Sequence, residues 1–208
     1  MSTQKFMLAG GAGQLECALN LPKNPPRGIA LIAHPHPLYG GTMDNKVIYT
    51  LSRTFLALDY IAVRMNFRGV GASEGEHDHA RGETDDMYTL MLHMREQYPD
   101  LPLALAGFSF GTVVQAELHK RLLAEGRAVQ RMVFVGTAAI KWHIPEVPQN
   151  TIVIHGEHDE TIPLTDVFDW ARPQELPVWV IPGADHFFHR KLQFIRSLVT
   201  QMWDGPIL

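Results

Sequence analysis

The sequence is short of what several protein classes depend on. Its 208 residues include one cysteine, Cys17. No internal disulfide can form, and a reducing compartment is expected. No apolar run approaches the roughly 20 residues a helix needs to cross a bilayer. Residues 1–14 (MSTQKFMLAGGAGQ) lack the apolar core of a signal peptide, so the cytoplasm is the expected location, with no membrane partner. There is no basic run, and the net charge is −4, which leaves nucleic-acid binding without electrostatic support. There is also no repeat and no linker. With 19% charged and 46% hydrophobic residues, the expectation is one globular domain, residues 1–208.

What is present centres on residues 103–111, LALAGFSFG. A short apolar run leads directly into Gly107-Phe108-Ser109-Phe110-Gly111, and a helical pattern follows at once. Strand, sharp turn and helix is the order that lifts a serine hydroxyl clear of a sheet edge. Glycines two before and two after the serine fit such a turn, where the backbone passes too close for side chains. The G-x-S-x-G string alone is weak, and its context strengthens it.

Upstream, residues 5–8 and 15–21 read as two strands of a hairpin around Gly10, Gly11 and Gly13. Residues 28–33 (GIALIA) are continuously apolar, as in a strand buried on both faces. A loop, HPHPLYGG, follows. A helix is expected over residues 44–58, with Val47, Leu51, Phe55 and Leu58 on one face. Residues 60–65 form the next strand, and residues 66–79 form a polar loop. Thr84, Asp85 and Asp86 are expected to open a helix whose Met87, Met91 and Met94 face the core. After the elbow helix, residues 132–135, 151–154 and 178–181 are strands. A helix over residues 190–203 closes the chain. This alternation predicts an α/β fold with a mostly parallel, doubly wound sheet behind an N-terminal antiparallel hairpin.

In such sheets ligands bind beyond the carboxyl ends of the strands. Those ends carry His34 and His36, then Ser109, then Glu157, His158, Asp159 and Glu160, and last Asp185 and His186. Serine, acid, histidine is the order of an α/β-hydrolase set. Serine is a poor nucleophile at neutral pH without a base in reach. Histidine can take and return the proton, and a carboxylate must hold its tautomer. Asp159, Glu157, Glu160 and Asp185 compete to be that carboxylate. Asp159 is favoured by its place just past a strand end and before Pro163. His34 and His36 read as loop residues, with a backbone N–H of His36 available to an oxyanion, since Pro35 and Pro37 have none. Metal has little support. His34/His36, His77/His79, His155/His158 and His186/His189 are pairs in distant loops, and no H-E-x-x-H helix occurs. No metal and no cofactor are expected.

Five stretches together resemble the α/β-hydrolase superfamily, and among its members the small lidless bacterial serine hydrolases related to dienelactone hydrolases. They are HPHPLYGG (34–41), NFRGVGASEG (66–75), GFSFG (107–111), HGEHDE (155–160) and GADHFFH (183–189). The resemblance implies Ser109 as nucleophile, Asp159 as acid, His186 as base, and the amides of His36 and Phe110 as oxyanion donors. Dienelactone hydrolase carries cysteine where this chain has Ser109, so its substrate is not carried over. Lipases of the superfamily carry a cap ahead of the acid strand. Residues 136–150 are too few for one, and Trp142, Ile144, Pro145 and Pro148 are expected to form only an apolar rim. The expected activity is cofactor-free hydrolysis of small-molecule esters. Thioesters, small amides and a binding module without turnover are the alternatives.

Overall fold

Residues 3–139 and 142–205 are described by a computed structural model. Thr3–Gly10 (β1) and Gly13–Asn20 (β2) pair antiparallel, with Gly10 opposite Gly13 at the turn. Six strands follow: Gly28–Ala33 (β3), Tyr60–Met65 (β4), Leu103–Phe108 (β5), Arg131–Val135 (β6), Ile152–Gly156 (β7) and Val178–Ile181 (β8). They are parallel to one another, and β2 joins them antiparallel to β4. The spatial order is β1-β2-β4-β3-β5-β6-β7-β8.

Along β3 the side chains divide by parity. Ile29, Leu31 and Ala33 enter one core, while Ala30 and Ile32 enter the other. Both faces are therefore covered, and the strand reads as continuously apolar. Lys46–Ala57 (α1) and Leu192–Met202 (α5) cover one face. Arg81–Gln97 (α2), Phe110–Ala124 (α3) and Leu164–Ala171 (α4) cover the other. The order reverses at β3, since the chain steps outward to β4 and then returns to β5 on the opposite side. Such a switch point opens a crevice at the carboxyl ends of the two strands that flank it. The residues there are His34–His36 and Ser109.

Several boundaries differ from expectation. Helix α2 begins at Arg81 rather than Thr84, because Asp78 accepts the Gly82 N–H at 3.1 Å and caps it earlier. Asp86 is then not a first-turn acid. It lies buried against Arg68, with bonds of 2.7 and 2.8 Å. Helix α5 begins at Leu192 rather than residue 190, because Phe188 and Arg190 hold φ of 53° and 59°, which a helix cannot contain. The eight-residue α4 has no counterpart in the expected elements, being too short to set up a periodic pattern.

The expected apolar rim over residues 136–150 is a correction. Ile144 and Val147 are buried in the core, and the Trp142 ring lies 5.1 Å from that of Phe110. This apolar segment lies down against the body of the protein, where burial stabilises it. Its described residues carry no helix or strand, and Ile140 and Lys141 lie outside the described residues. Among the described residues no helix is long and apolar enough to cross a membrane.

Candidate active site

Ser109 sits between β5 and α3 with φ 53° and ψ −122°. A non-glycine residue there is strained, and the surroundings hold it. Its N–H donates to Val135 O at 2.9 Å, and its carbonyl accepts the Thr112 hydroxyl at 2.6 Å. A Cβ on Gly107 would come within 2.5 Å of Gly111 O, and one on Gly111 would strike Ala33 O. The two glycines are thus required by close backbone approach. Gln115 ties this corner to β3, donating to Leu31 O and Ala106 O at 2.9 and 3.0 Å.

Three of the expected side chains come together. His186 Nε2 lies 3.1 Å from Ser109 Oγ. His186 Nδ1 lies 2.6 Å from Asp159 Oδ2. Asp159 Oδ1 accepts the N–H groups of Thr161 and Ile162 at 2.9 and 2.8 Å. The carboxylate is oriented at both oxygens and fully buried, and the imidazole is nearly so. An acceptor carboxylate at Nδ1 requires that nitrogen to carry the proton, leaving the Nε2 lone pair toward Ser109. The imidazole packs on Phe108, with ring centroids 4.9 Å apart. It also needs Gly136, where a Cβ would approach its Cε1 to 3.2 Å. The arrangement can move a proton from the serine hydroxyl and stabilise the resulting charge.

The competing acids go elsewhere. Asp185 accepts the ring and backbone N–H of the exposed His189, at 2.6 and 3.0 Å. Although burial alone would raise it, those bonds hold the Asp185 carboxyl below its ordinary range. Glu157 accepts Gly183 N–H at 2.7 Å, and Glu160 is exposed.

A cleft of about 410 Å³ opens over Ser109 and His186. Pro35, His36, Tyr39, Asn45, Thr161 and Phe187 are among its walls, and none of its lining residues is a carboxylate. His36 caps a short 3₁₀ turn, Pro37–Tyr39, accepting Leu38 N–H through Nδ1 at 3.3 Å. The Phe110 amide opens α3, where an N–H has no partner within its own helix. The Phe110 ring turns away from the cleft, against Phe67, His77 and Trp142. The exposed rim comes from Tyr39 and Phe187, which fall within residues 34–41 and 183–189 but carry no expected role there. Their exposure depends on the 3₁₀ turn and the positive φ of Phe188.

Of the histidine pairs, His77 and His79 stay close, with ring centroids 5.0 Å apart, and His77 also lies 4.7 Å from His36. His34 is buried, its Nε2 accepting Phe67 N–H at 2.9 Å and its Nδ1 donating to Pro35 O at 2.6 Å. Burial pushes its imidazole down to about 3. His77 Nδ1 lies 2.7 Å from the buried Glu83 carboxylate. His155 is buried, whereas His158 is exposed. Among the described residues no three histidine, cysteine or acidic side chains are grouped to hold a metal ion.

Residues 24–163 match the family model Hydrolase_4, described as serine aminopeptidase S33. An uncharacterized protein of Rickettsia prowazekii is 29% identical over 198 residues, spanning 88% of this chain and 82% of its own. A lidless α/β serine hydrolase from Xanthomonas campestris superposes with a TM-score of 0.89 at 32% identity, covering 97% of this chain and 94% of that one. An α/β serine hydrolase homologue from Coxiella burnetii gives 0.85 at 32% identity, covering 97% of each chain.

Proposed function

This chain belongs to the Hydrolase_4 family of α/β serine hydrolases, and from that premise we propose that it cleaves carboxylic esters of small molecules through Ser109, His186 and Asp159. The observation that carries the reading is the unbroken chain of bonds from Ser109 Oγ through His186 to Asp159, at 3.1 and 2.6 Å, at the floor of an open cleft.

Ser109 Oγ attacks the acyl carbon while His186 Nε2 takes its proton. Asp159 stabilises the imidazolium that forms. The amides of His36 and Phe110 donate to the oxyanion as charge builds on the carbonyl oxygen. Collapse returns the proton from His186 to the departing alcohol, leaving an acyl-enzyme on Ser109. Water then repeats the sequence, with His186 again as base, and releases the acid.

Esters fit the cleft better than the peptide N-termini in the family's description. A protonated α-amino group calls for a carboxylate partner, since an unpaired charge brought out of water is costly. The lining offers none, because Asp159 lies behind His186 and is committed to it. The test is a side-by-side assay of p-nitrophenyl acetate and butyrate against aminoacyl p-nitroanilides, with wild type and Ser109→Ala. Ester turnover that requires Ser109, and far exceeds anilide turnover, is expected. Preferred anilide cleavage would replace the ester assignment. No turnover of either, with a folded protein, would favour a binding module.

A further inference from the structure

The reaction scheme leaves one buried titratable group beside its acid unused. His155, on β7, is fully buried, and its Nε2 lies 2.9 Å from Ile162 O and 3.4 Å from Asp159 Oδ2. A backbone carbonyl can only accept, so Nε2 must carry the proton. The other ring nitrogen, Nδ1, is buried and meets no hydrogen-bond partner among the described residues. A protonated Nδ1 there would strand a buried donor, so the geometry selects one tautomer of the neutral ring. Burial also holds the imidazole below its ordinary range, against the opposing pull of Ile162 O, Asp159 and Asp166.

Ile162 is therefore held on both sides of its Cα, through the two peptide groups that flank it. Its N–H donates to Asp159 Oδ1 at 2.8 Å, and its carbonyl accepts from His155. The loop from Gly156 to Ile162 carries the acid away from β7 and is pinned back onto β7 by the strand's own His155. We propose that His155 is a positioning residue for Asp159: by fixing the backbone at Ile162 it fixes the N–H that orients the carboxylate, and with it the line from Oδ2 to His186 Nδ1. This rests on the reading of Ser109, His186 and Asp159 as the reacting set. It adds a fourth side chain that touches neither substrate nor Ser109.

Two variants separate this role from mere filling of space. His155→Phe keeps a flat ring and removes the Nε2 donor, and it costs nothing at Nδ1, which has no partner to lose. His155→Gln keeps an N–H near the Nε2 position. The first readout is kinetic, on p-nitrophenyl butyrate. With Asp159 free to rotate, kcat should fall by about 10–100-fold in His155→Phe, as for other small misplacements of reacting groups. KM should stay within about twofold of wild type, since His155 does not line the cleft. His155→Gln should recover most of kcat.

The second readout is the imidazole proton between His186 Nδ1 and Asp159, followed by NMR, which needs no turnover. Its downfield signal should move upfield or broaden in His155→Phe and return in His155→Gln. An unchanged signal in His155→Phe, or equal losses in the Phe and Gln variants, overturns the proposal. A third readout uses the wild-type protein alone and covers the case in which His155→Phe does not fold. Nitrogen-15 shifts at neutral pH should show His155 neutral with its proton on Nε2. A proton on Nδ1, or a charged ring, overturns the proposal. If wild type neither cleaves esters nor reacts at Ser109, the functional reading fails, while the NMR signals still decide whether His155 positions Asp159.

Discussion

Two clefts open at opposite edges of the same sheet. The larger, about 560 Å³, lies at the amino-terminal start of β5, between the ends of α2 and α3. The smaller, about 410 Å³, lies at the carboxyl ends, over Ser109. In the larger cleft two arginines and a glutamine are committed to the protein itself, and the one carboxylate, Asp100, is exposed. Arg95 donates to the carbonyls of Pro99 and Leu101, Arg127 pairs with Glu125 at 3.0 Å, and Gln130 accepts the Tyr60 hydroxyl at 2.6 Å. An arginine keeps its charge at any physiological pH and cannot shuttle a proton. In the smaller cleft a serine faces a histidine whose other nitrogen is held by a buried acid. What separates the two is the line of contacts from Ser109 through His186 to Asp159, which volume alone does not reveal.

The largest effects should follow that divide. Ser109→Ala and His186→Ala should each lose about a thousandfold or more in ester turnover with the fold retained, and the double variant should be little worse than either single one. Arg95→Ala and Arg127→Ala, in the larger cleft, should stay within about twofold of wild type. Comparable losses at both edges would erase the distinction. Within the smaller cleft, Asp159→Asn should lose about a hundredfold or more, and Asp185→Asn should lose little, because Asp185 serves only the exposed His189. The reverse order of severity would move the acid to Asp185.

Acid should act through stability. His34 titrates near 3 in the fold, against an ordinary 6.5, because burial disfavours its charged form. The unfolded chain therefore binds a proton that the folded chain refuses. The stability contributed is present in full above pH 6.5 and is lost as pH falls toward 3, at about 1.4 kcal/mol per pH unit for this group. His119 and His155, also lowered by burial, add to the same trend. Denaturant titrations from pH 8 to 4 should show the slope, and His34→Gln should flatten it. A pH-independent midpoint would mean that these rings are hydrated.

The smallest effect concerns substrate length. Each acyl methylene covered by the Tyr39 and Phe187 walls should add about 0.8 kcal/mol. The gain should stop once the chain passes that rim, so a p-nitrophenyl ester series should peak at short acyl groups. A maximum at palmitate would reveal a longer tunnel.

Much of this is legible in the sequence for a physical reason. Strands such as β3 and β5, buried on both faces, leave continuous apolar runs, and Gly107 and Gly111 are demanded by backbone contacts on either side of Ser109. Asp159 can be favoured but not separated from Asp185 by spacing alone. What divides them is the direction of two side chains, which depends on how the β7 and β8 loops fold against each other. In the sequence His155 reads only as half of a metal pair with His158. Its contact runs to a carbonyl seven residues on, and no spacing rule encodes that. Residues 136–150 mislead because Trp142, Ile144 and the prolines suit an exposed rim and a buried strap equally well, and the choice is made by packing on α3 and the core.

The central claim is that one hydroxyl in this molecule, that of Ser109, is activated. Treating the folded protein with a fluorophosphonate and reading the intact mass and the modified peptide tests it most directly. One adduct is expected, on Ser109, absent from Ser109→Ala and strongly slowed in His186→Ala. A folded protein that takes no adduct, or that is modified equally in Ser109→Ala, would contradict the account.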